Sequence, residues 1–422
     1  MKKIELLAPA GNLSKLKTAI YYGADAVYVG GENFSLRTAA DNFTMDELKE
    51  GIEFAHKHGV KVYLALNCFP HNKDIEKLKN YILEIAKTDI DAVIVSDLGA
   101  FVLVSEIAPR MEIHISTQAN TVNHVTAASW YKMGAKRVVL ARELTFEEIK
   151  EIRDKTAVGL ELEMFAHGAM CMSYSGRCLL SNYLVGRDSN SGDCAQPCRW
   201  NYSLVEQQRP GEYMPIEENS RGSFIFNSKD LCLIKRIPEL ISAGVASLKI
   251  EGRVKTEYYV ASVVKVYREA IDAYYRDPEN YHFKESWMAE LEKVSHRPYW
   301  EGFCFGDDLG QNYATSNYIR EYDVIGTLKS YDEATGIAEI TQRNRFFRGD
   351  EIEVISPFVD GFFSFNADFM QDEKGYDINA APHAEMTVRL MPGRRILPNS
   401  ILRKKREIIR FLFPLIVCLK YR

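Results

Sequence analysis

The chain has 422 residues, with 53 Lys and Arg against 58 Asp and Glu, for a net charge of -5. With 46% hydrophobic and 26% charged residues it has the make-up of a folded globular protein, which excludes a largely disordered chain. The length exceeds one ordinary core and suggests two domains or one large barrel with an appendage, while the mildly acidic total leaves room for a local basic face.

The first residues, Met1-Lys-Lys-Ile-Glu-Leu-Leu-Ala-Pro-Ala10, include a short apolar stretch that carries Glu5 and leads straight into a folded pattern, so they do not read as a secretory signal. The apolar tail Ile408 to Leu419 contains Arg410 and Pro414 and is far shorter than the ~20 residues that span a bilayer. A cytoplasmic protein with no membrane partner is therefore expected. In that reducing compartment, clustered cysteines point to metal or redox chemistry rather than disulfides.

Short apolar strands alternate with amphipathic helices through the first 255 or so residues. The predicted strands are Ile4 to Ala10, Gly23 to Gly31, Lys61 to Asn67, Ala92 to Asp97, Glu112 to Ala119, Gly134 to Arg142, Leu160 to Ala166 and Ser247 to Arg253. Helices are predicted between them, among them Thr44 to His58, ending at Gly59, and one opened by Thr145 with Glu147 and Glu148 in its first turn. Eight such units fit an α/β fold of the (β/α)8 barrel type, with a long insertion after strand seven. No Gly-x-Gly-x-x-Gly opens the first unit, which weakens a dinucleotide-binding alternative.

A helix after Thr256 closes the barrel, and Asp277-Pro-Glu-Asn280 marks a break. From about Tyr318 short β segments predict a small all-β, barrel-like domain. The expected division is 1–276 for the barrel with its insertion at about 168–246, 277–317 for a helical and aromatic connector, 318–405 for the β domain, and 406–422 for an atypical tail. Arg343-Asn-Arg-Phe-Phe-Arg348 interleaves basic and aromatic residues, a pattern that suits phosphate contact with base stacking and equally a solvated loop. Arg403-Lys-Lys-Arg406 and the apolar residues after it leave an edge strand or a partner-binding tail open.

Barrel active sites lie at the C-terminal ends of the strands. Polar residues expected there are Asn67, Asp97, His114, Gln118, Arg142, His167, Lys249, Glu251 and Arg253. The insertion leaves from the same face. It carries Cys171, Cys178, Cys194 and Cys198, four of the eight cysteines, separated by six, fifteen and three residues. Thiolates are soft ligands that select zinc or iron–sulfur clusters. Structural zinc sites favour close pairs. Only Cys194 and Cys198 form one, so the spacing accommodates a cubane cluster as well and leaves zinc or redox thiols open. Cys68, Cys304 and Cys418 read as apolar fillers, and Cys232 is a spare ligand candidate.

The run Glu163-x-Phe165-x2-Gly168-Ala169-Met170-Cys171-x4-Gly176-x-Cys178-x-Leu180-Ser181 resembles, at every fixed position, the signature of the peptidase U32 (collagenase-like) family. Gly186-Arg187, Asp193-Cys194-x3-Cys198-Arg199-Trp200, Asn227-Ser-Lys-Asp230 and Leu248-Lys-Ile-Glu-Gly-Arg253 are similar to that family too, over about residues 1–400. More narrowly, they resemble its branch of prephenate-dependent tRNA uridine-34 hydroxylases. The resemblance implies an oxygen-independent hydroxylase with a [4Fe-4S] cluster on Cys171, Cys178, Cys194 and Cys198. It implies 5-hydroxyuridine as product, prephenate as hydroxyl donor and the tRNA anticodon region as partner. Relatives act on a ribosomal RNA cytidine or, in pairs, on the ubiquinone ring, and a relative of that second kind uses a cysteine at the position of Cys232.

Arg142, Lys249 and Arg253 are candidates to hold a dicarboxylate, with structural pairing to Glu143 or Glu251 the competing role. His167 is a candidate proton donor or a hydrogen-bond support for the cysteine loop. Two other classes remain: a peptidase, for which His-Glu-x-x-His is missing and Cys171 with His167 is the conceivable pair, and an RNA-binding protein with a purely structural zinc.

Overall fold

A computed structural model describes residues 3–35, 41–170, 180–187, 189, 193–197, 200, 203–205, 213–215, 229–306, 318–357 and 362–406. The chain divides into two compact units, the first reaching Arg320 and the second beginning at Glu321, with a short return to the first at 356–361.

The first unit is a closed parallel barrel. Strands β1 (Glu5–Ala10), β2 (Ala26–Gly30), β3 (Lys61–Leu66), β4 (Ala92–Val95), β5 (Glu112–Ile115), β6 (Arg137–Val139) and β7 (Glu161–Ala169) pair in sequence. The eighth barrel strand, Ser247–Ile250, closes the ring, matching Glu163 of β7 on one edge and Glu5 of β1 on the other at Ser247. Between them lies α1 (Leu13–Tyr21), then α2 (Met45–Lys57), α3 (Ile75–Ile85), α4 (Leu98–Ile107), α5 (His124–Lys132) and α6 (Phe146–Asp154). The 20-residue helix Glu257–Arg276 follows the last strand.

Local chemistry fixes where these helices start. Thr44 with Glu47 and Thr145 with Glu148 form reciprocal capping boxes. Asn12, Asp97, Asn123 and Thr256 each accept a backbone N–H of the first turn. Strand five is shorter than its apolar run suggests. Ser116 caps a 3-10 turn at Thr117–Ala119, and Asn120 follows in the left-handed region at φ 54°. Strand seven is longer than expected because the returning strand Asp230–Cys232 pairs antiparallel with its end, opposing Cys232 to His167.

The barrel interior combines an apolar layer with a buried polar plug. Leu7, Ala26, Tyr28, Tyr63, Ala92 and Ile94 form the layer. Arg137 donates to Glu5 at 2.6 Å, to Glu161 at 2.7 Å and to Glu163 at 2.9 Å. Lys249 completes the plug on the other oxygen of Glu163 at 2.9 Å. Such a network is tolerable only because every charge in it is paired.

The second unit has an antiparallel seven-stranded sheet in the order Phe362–Asn366, Glu351–Ile355, Ile401–Lys405, Tyr322–Asp332, Ile337–Gln342, Thr387–Leu390, Met370–Asp372, with Phe346–Phe347 and Ala380–Ala381 forming a separate two-stranded pair. It curls around a core that includes Ile325, Ile340, Phe346, Ile352, Val354, Val388 and Leu402. The basic run after Ile401 is neither edge nor tail: Ile401–Lys405 is paired on both sides, and Arg403 is buried on Glu353 at 2.6 Å. The loop 343–348 is largely structural as well. Phe346 lies in the core, Arg343 pairs with Glu385, and Arg348 donates to the carbonyls of Asp368, Met370 and Ile378. Arg345 lies over the ring of exposed Phe347, 4.7 Å from its centre. The extreme C-terminal stretch, with Cys418, lies outside the described residues.

Candidate active site at the barrel mouth

The polar residues expected at the strand ends do not share one surface. Two of them lie deeper. His114, on β5, is buried edge-on to Tyr63 at 4.7 Å and paired in register with Arg137, so it belongs to the interior plug. Burial outweighs the nearby carboxylates and lowers its pKa, leaving a neutral ring. Lys249 is likewise interior, paired with Glu163 rather than with Glu143 or Glu251, and its ammonium lies 4.5 Å from the Tyr28 ring centre. A buried ammonium held this way is a poor candidate for a substrate clamp, because leaving Glu163 would strand a buried carboxylate. That corrects the expectation for Lys249. Asp97 is occupied as the N-cap of α4, accepting from Ala100 at 2.9 Å.

The mouth proper contains Arg142, Glu251 and Arg253 on one side. Arg142 lies flat on Phe165, 3.8 Å from the ring centre, donates to the carbonyl of Ala169 at 2.9 Å and approaches Glu251 at 3.9 Å. It thus grips the last residue of strand seven, two positions before Cys171. Arg253 is buried against Gly30 and donates to Ser35 at 2.7 Å. A Cβ on Gly30 would fall 1.9 Å from that guanidinium, so a side chain there would have to displace Arg253. Ser35 was not among the expected residues; its signal was only its place just past a strand end.

His167 is enclosed. Its ring lies 5.3 to 6.0 Å from those of Tyr299, Tyr267 and Tyr259, and Tyr267 Oη is 3.4 Å from Nδ1. Burial, reinforced by the charges of His296 and Lys255, pushes its pKa down to about 3. A ring neutral at physiological pH does not serve as an imidazolium proton donor. Gly168, next in the chain, has φ 108°, and a Cβ there would meet the Glu251 carbonyl at 2.6 Å. The end of strand seven therefore turns at a position that accepts only glycine.

The imidazole also makes a pH prediction. In the unfolded chain it binds a proton near its ordinary ~6.5, but in the fold only near 3, so it withdraws stability as pH falls between those values. His167→Gln is expected to flatten the fall in urea midpoint between about pH 6.5 and 4.5, and an unaltered slope would contradict a neutral buried ring.

Of the four clustered cysteines, Cys171, Cys178 and Cys198 lie outside the described residues. Cys194 is half-buried, and its sulfur accepts the Gln196 N–H at 3.3 Å. The loop around it is tied down by Ala195 N–H on Ser181 at 3.0 Å and by Arg187 on Asp193 at 2.7 Å. Backbone N–H donors to sulfur are a common support of cluster-ligating cysteines. Cys232 does not share that environment. It is buried opposite His167, and desolvation pushes its thiol up to about 12. Cys68 and Cys304 are likewise raised to about 12 by burial, in keeping with packing roles.

Comparison with known proteins follows the same division of the chain. Residues 11–313 match the model of peptidase family U32, and residues 320–403 match its C-terminal domain. A Bacillus subtilis protein named tRNA hydroxylation protein P1 is 42% identical over 96% of this chain and 95% of its own. The Escherichia coli tRNA hydroxylation protein P is 39% identical over 92% and 94% respectively. A Porphyromonas gingivalis protein named collagenase is 34% identical over 84% and 86%. The barrel, the sheet that follows it and the signature running from Glu163 into the cysteine loop are thus those of one lineage: the chain belongs to peptidase family U32.

Proposed function

We propose that this protein is an oxygen-independent tRNA hydroxylase that forms 5-hydroxyuridine at position 34 of the anticodon, with prephenate as hydroxyl donor. Cys171, Cys178, Cys194 and Cys198 would hold a [4Fe-4S] cluster, which supplies a redox-active or Lewis-acidic centre when bound. The observation that carries this reading is similarity along nearly the whole chain to a protein named for tRNA hydroxylation. The site's chemistry supports it: strand seven delivers the cysteine loop to a mouth where Arg142 and Arg253 lie, and guanidinium groups match carboxylates.

In this reading Arg142 both anchors the start of the cysteine loop and offers its charge to a donor carboxylate. Arg253 fixes the β2 loop through Ser35, and Glu251 balances Arg142. Lys249 and His167 act from beneath, Lys249 by holding Glu163 and His167 as a neutral ring packed behind the loop. The second unit offers Arg345 and Phe347 as an RNA contact. A cysteine peptidase is disfavoured, because His167, the base that Cys171 would need, is buried with its pKa pushed down to about 3 and is a poor proton acceptor.

The test is the nucleoside content of total tRNA from a strain lacking this gene and any other U32 gene, complemented with this chain or with vector. Complementation should restore 5-hydroxyuridine and the nucleosides made from it. Identical profiles would overturn the assignment to tRNA.

A further inference from the structure

The loop that leaves β2 is pinned at its base and again further out. Phe43 N–H donates to the Gly30 carbonyl at 2.9 Å and Glu32 N–H to the Phe43 carbonyl at 3.3 Å, closing the base. Beyond it, the Phe34 carbonyl accepts Cys68 N–H at 3.4 Å, just past β3, and Ser35 Oγ takes the Arg253 guanidinium at 2.7 Å, just past the eighth strand. Asn67, one residue before Cys68, is itself joined to Gln118, after β5, at 3.2 Å. These ties hold Phe34 at φ 58°, in the left-handed region. Glycine or asparagine takes that conformation readily, whereas a bulky aromatic residue there is strained. The packing of its ring does not account for the choice. The ring is half-buried, and its described aromatic and cationic neighbours are Tyr81, tilted by 38° at 6.0 Å between ring centres, and exposed Lys77, whose ammonium is 6.0 Å from the ring centre. A strained residue with so loosely held a ring, at a barrel mouth, points to a contact made with something other than the fold.

We infer that the Phe34 ring is the platform on which the base being modified stacks, with Lys77 beside it for that nucleotide's phosphate; the inference rests on the tRNA reading above. Chemistry on a base requires the base to leave its own stack. An aromatic face restores the lost stacking, and a cation alongside holds the backbone, which is the recurring way proteins keep an unstacked base. Arg142, proposed for the donor carboxylate, follows β6, and β2 and β6 are four strands apart in the ring of eight, so the two groups belong to different sectors of the mouth. A loop tied at these points sets the ring in place before a base arrives, which lowers the cost of ordering on binding. Stacking reads no hydrogen-bonding edge, so Phe34 gives affinity and placement rather than a choice between uracil and cytosine.

The experiment titrates labelled anticodon stem-loops, intact or abasic at anticodon position 34, into holo-protein prepared without oxygen, and follows tRNA hydroxylation with prephenate in parallel. Wild type is compared with Phe34→Gly, Phe34→Asn, Phe34→Trp and Lys77→Ala. Glycine and asparagine remove the ring but suit the left-handed backbone, so melting temperatures equal to or above that of wild type are expected, with unchanged iron content. Both variants should bind the intact stem-loop about 5- to 100-fold more weakly and the abasic one as wild type does, while Phe34→Trp keeps the wild-type difference between the two. Lys77→Ala should weaken both stem-loops alike, with a shallower salt dependence. Wild-type affinities in Phe34→Gly, or an equal loss for both stem-loops, overturn the inference. So does melting well below wild type, the mark of a packing residue. A raised KM for prephenate with unchanged stem-loop affinities overturns it too, because it places the ring against the co-substrate. In each of these cases, tRNA modified by the wild type leaves the tRNA reading standing. If the wild type neither binds the stem-loop nor modifies tRNA, that reading fails and the inference falls with it.

Discussion

Glu163→Leu is expected to destabilise the barrel by about 3–5 kcal/mol, a large part of the ~5–15 kcal/mol that holds a typical domain together. The carboxylate is fully buried and bonds Lys249 with one oxygen and Arg137 with the other. Removing it leaves the Lys249 ammonium buried beside aromatic rings with its carboxylate partner gone, while Arg137 keeps Glu5 and Glu161. The cost therefore falls mainly on Lys249. The double variant Glu163→Leu with Lys249→Met should recover most of the loss, because a neutral pair of similar volume avoids the stranded charge. Urea unfolding of the four proteins of this cycle measures it. Additive losses would contradict the coupling.

The same carboxylate gives the fold a second acid sensitivity. Burial would raise its pKa, but the charges of Lys249 and Arg137 prevail and bring it down from 4.5 to about 2. The stability it confers is fully present above its unfolded pKa near 4.5 and is lost as pH falls toward 2, a window that overlaps the lower part of that of His167 and extends below it. Glu163→Gln should abolish the steep loss in that lower window while leaving the upper one.

The second large effect concerns the cysteines. Alanine at Cys171, Cys178, Cys194 or Cys198 is expected to cost the bound iron and reduce hydroxylation to background, since a four-thiolate site loses a ligand that no neighbouring group replaces. Cys232→Ala is expected to keep both. Its thiol is buried, held neutral and placed across the strand pair from His167, so supplying a thiolate there would require desolvated charge. Iron content and nucleoside formation for all five variants check this. Iron loss in Cys232→Ala with retention in one of the other four would reassign the ligand set.

Much of the fold was legible because the barrel is locally consistent. Apolar strand runs, Thr-x-x-Glu capping boxes and glycine stops all agree on where each unit begins and ends. Depth within the barrel was not legible. Period-two alternation along Glu161, Glu163, Phe165 and His167 puts these residues on one face, but it does not tell which layer each reaches, so Lys249 and His114 were expected at the mouth and lie below it. Glu5 and Arg137 gave a weak signal, single charges inside apolar strands, and their partners are distant in sequence. The central place of Ile401–Lys405 was obscured by its charge: Arg403 and Lys404 are neutralised by Glu353 and Asp350, some 50 residues upstream, so the basic run left an edge strand or a tail open.

The central claim, that the sulfurs of the loop after strand seven jointly bind an iron–sulfur cluster, is tested most directly by metal and sulfide analysis of protein purified without oxygen. About four irons and four sulfides per chain, with absorbance near ~400 nm that disappears in the Cys194→Ala variant, is the expected result. Stoichiometric zinc in a colourless protein, or iron that survives loss of Cys194, would contradict it.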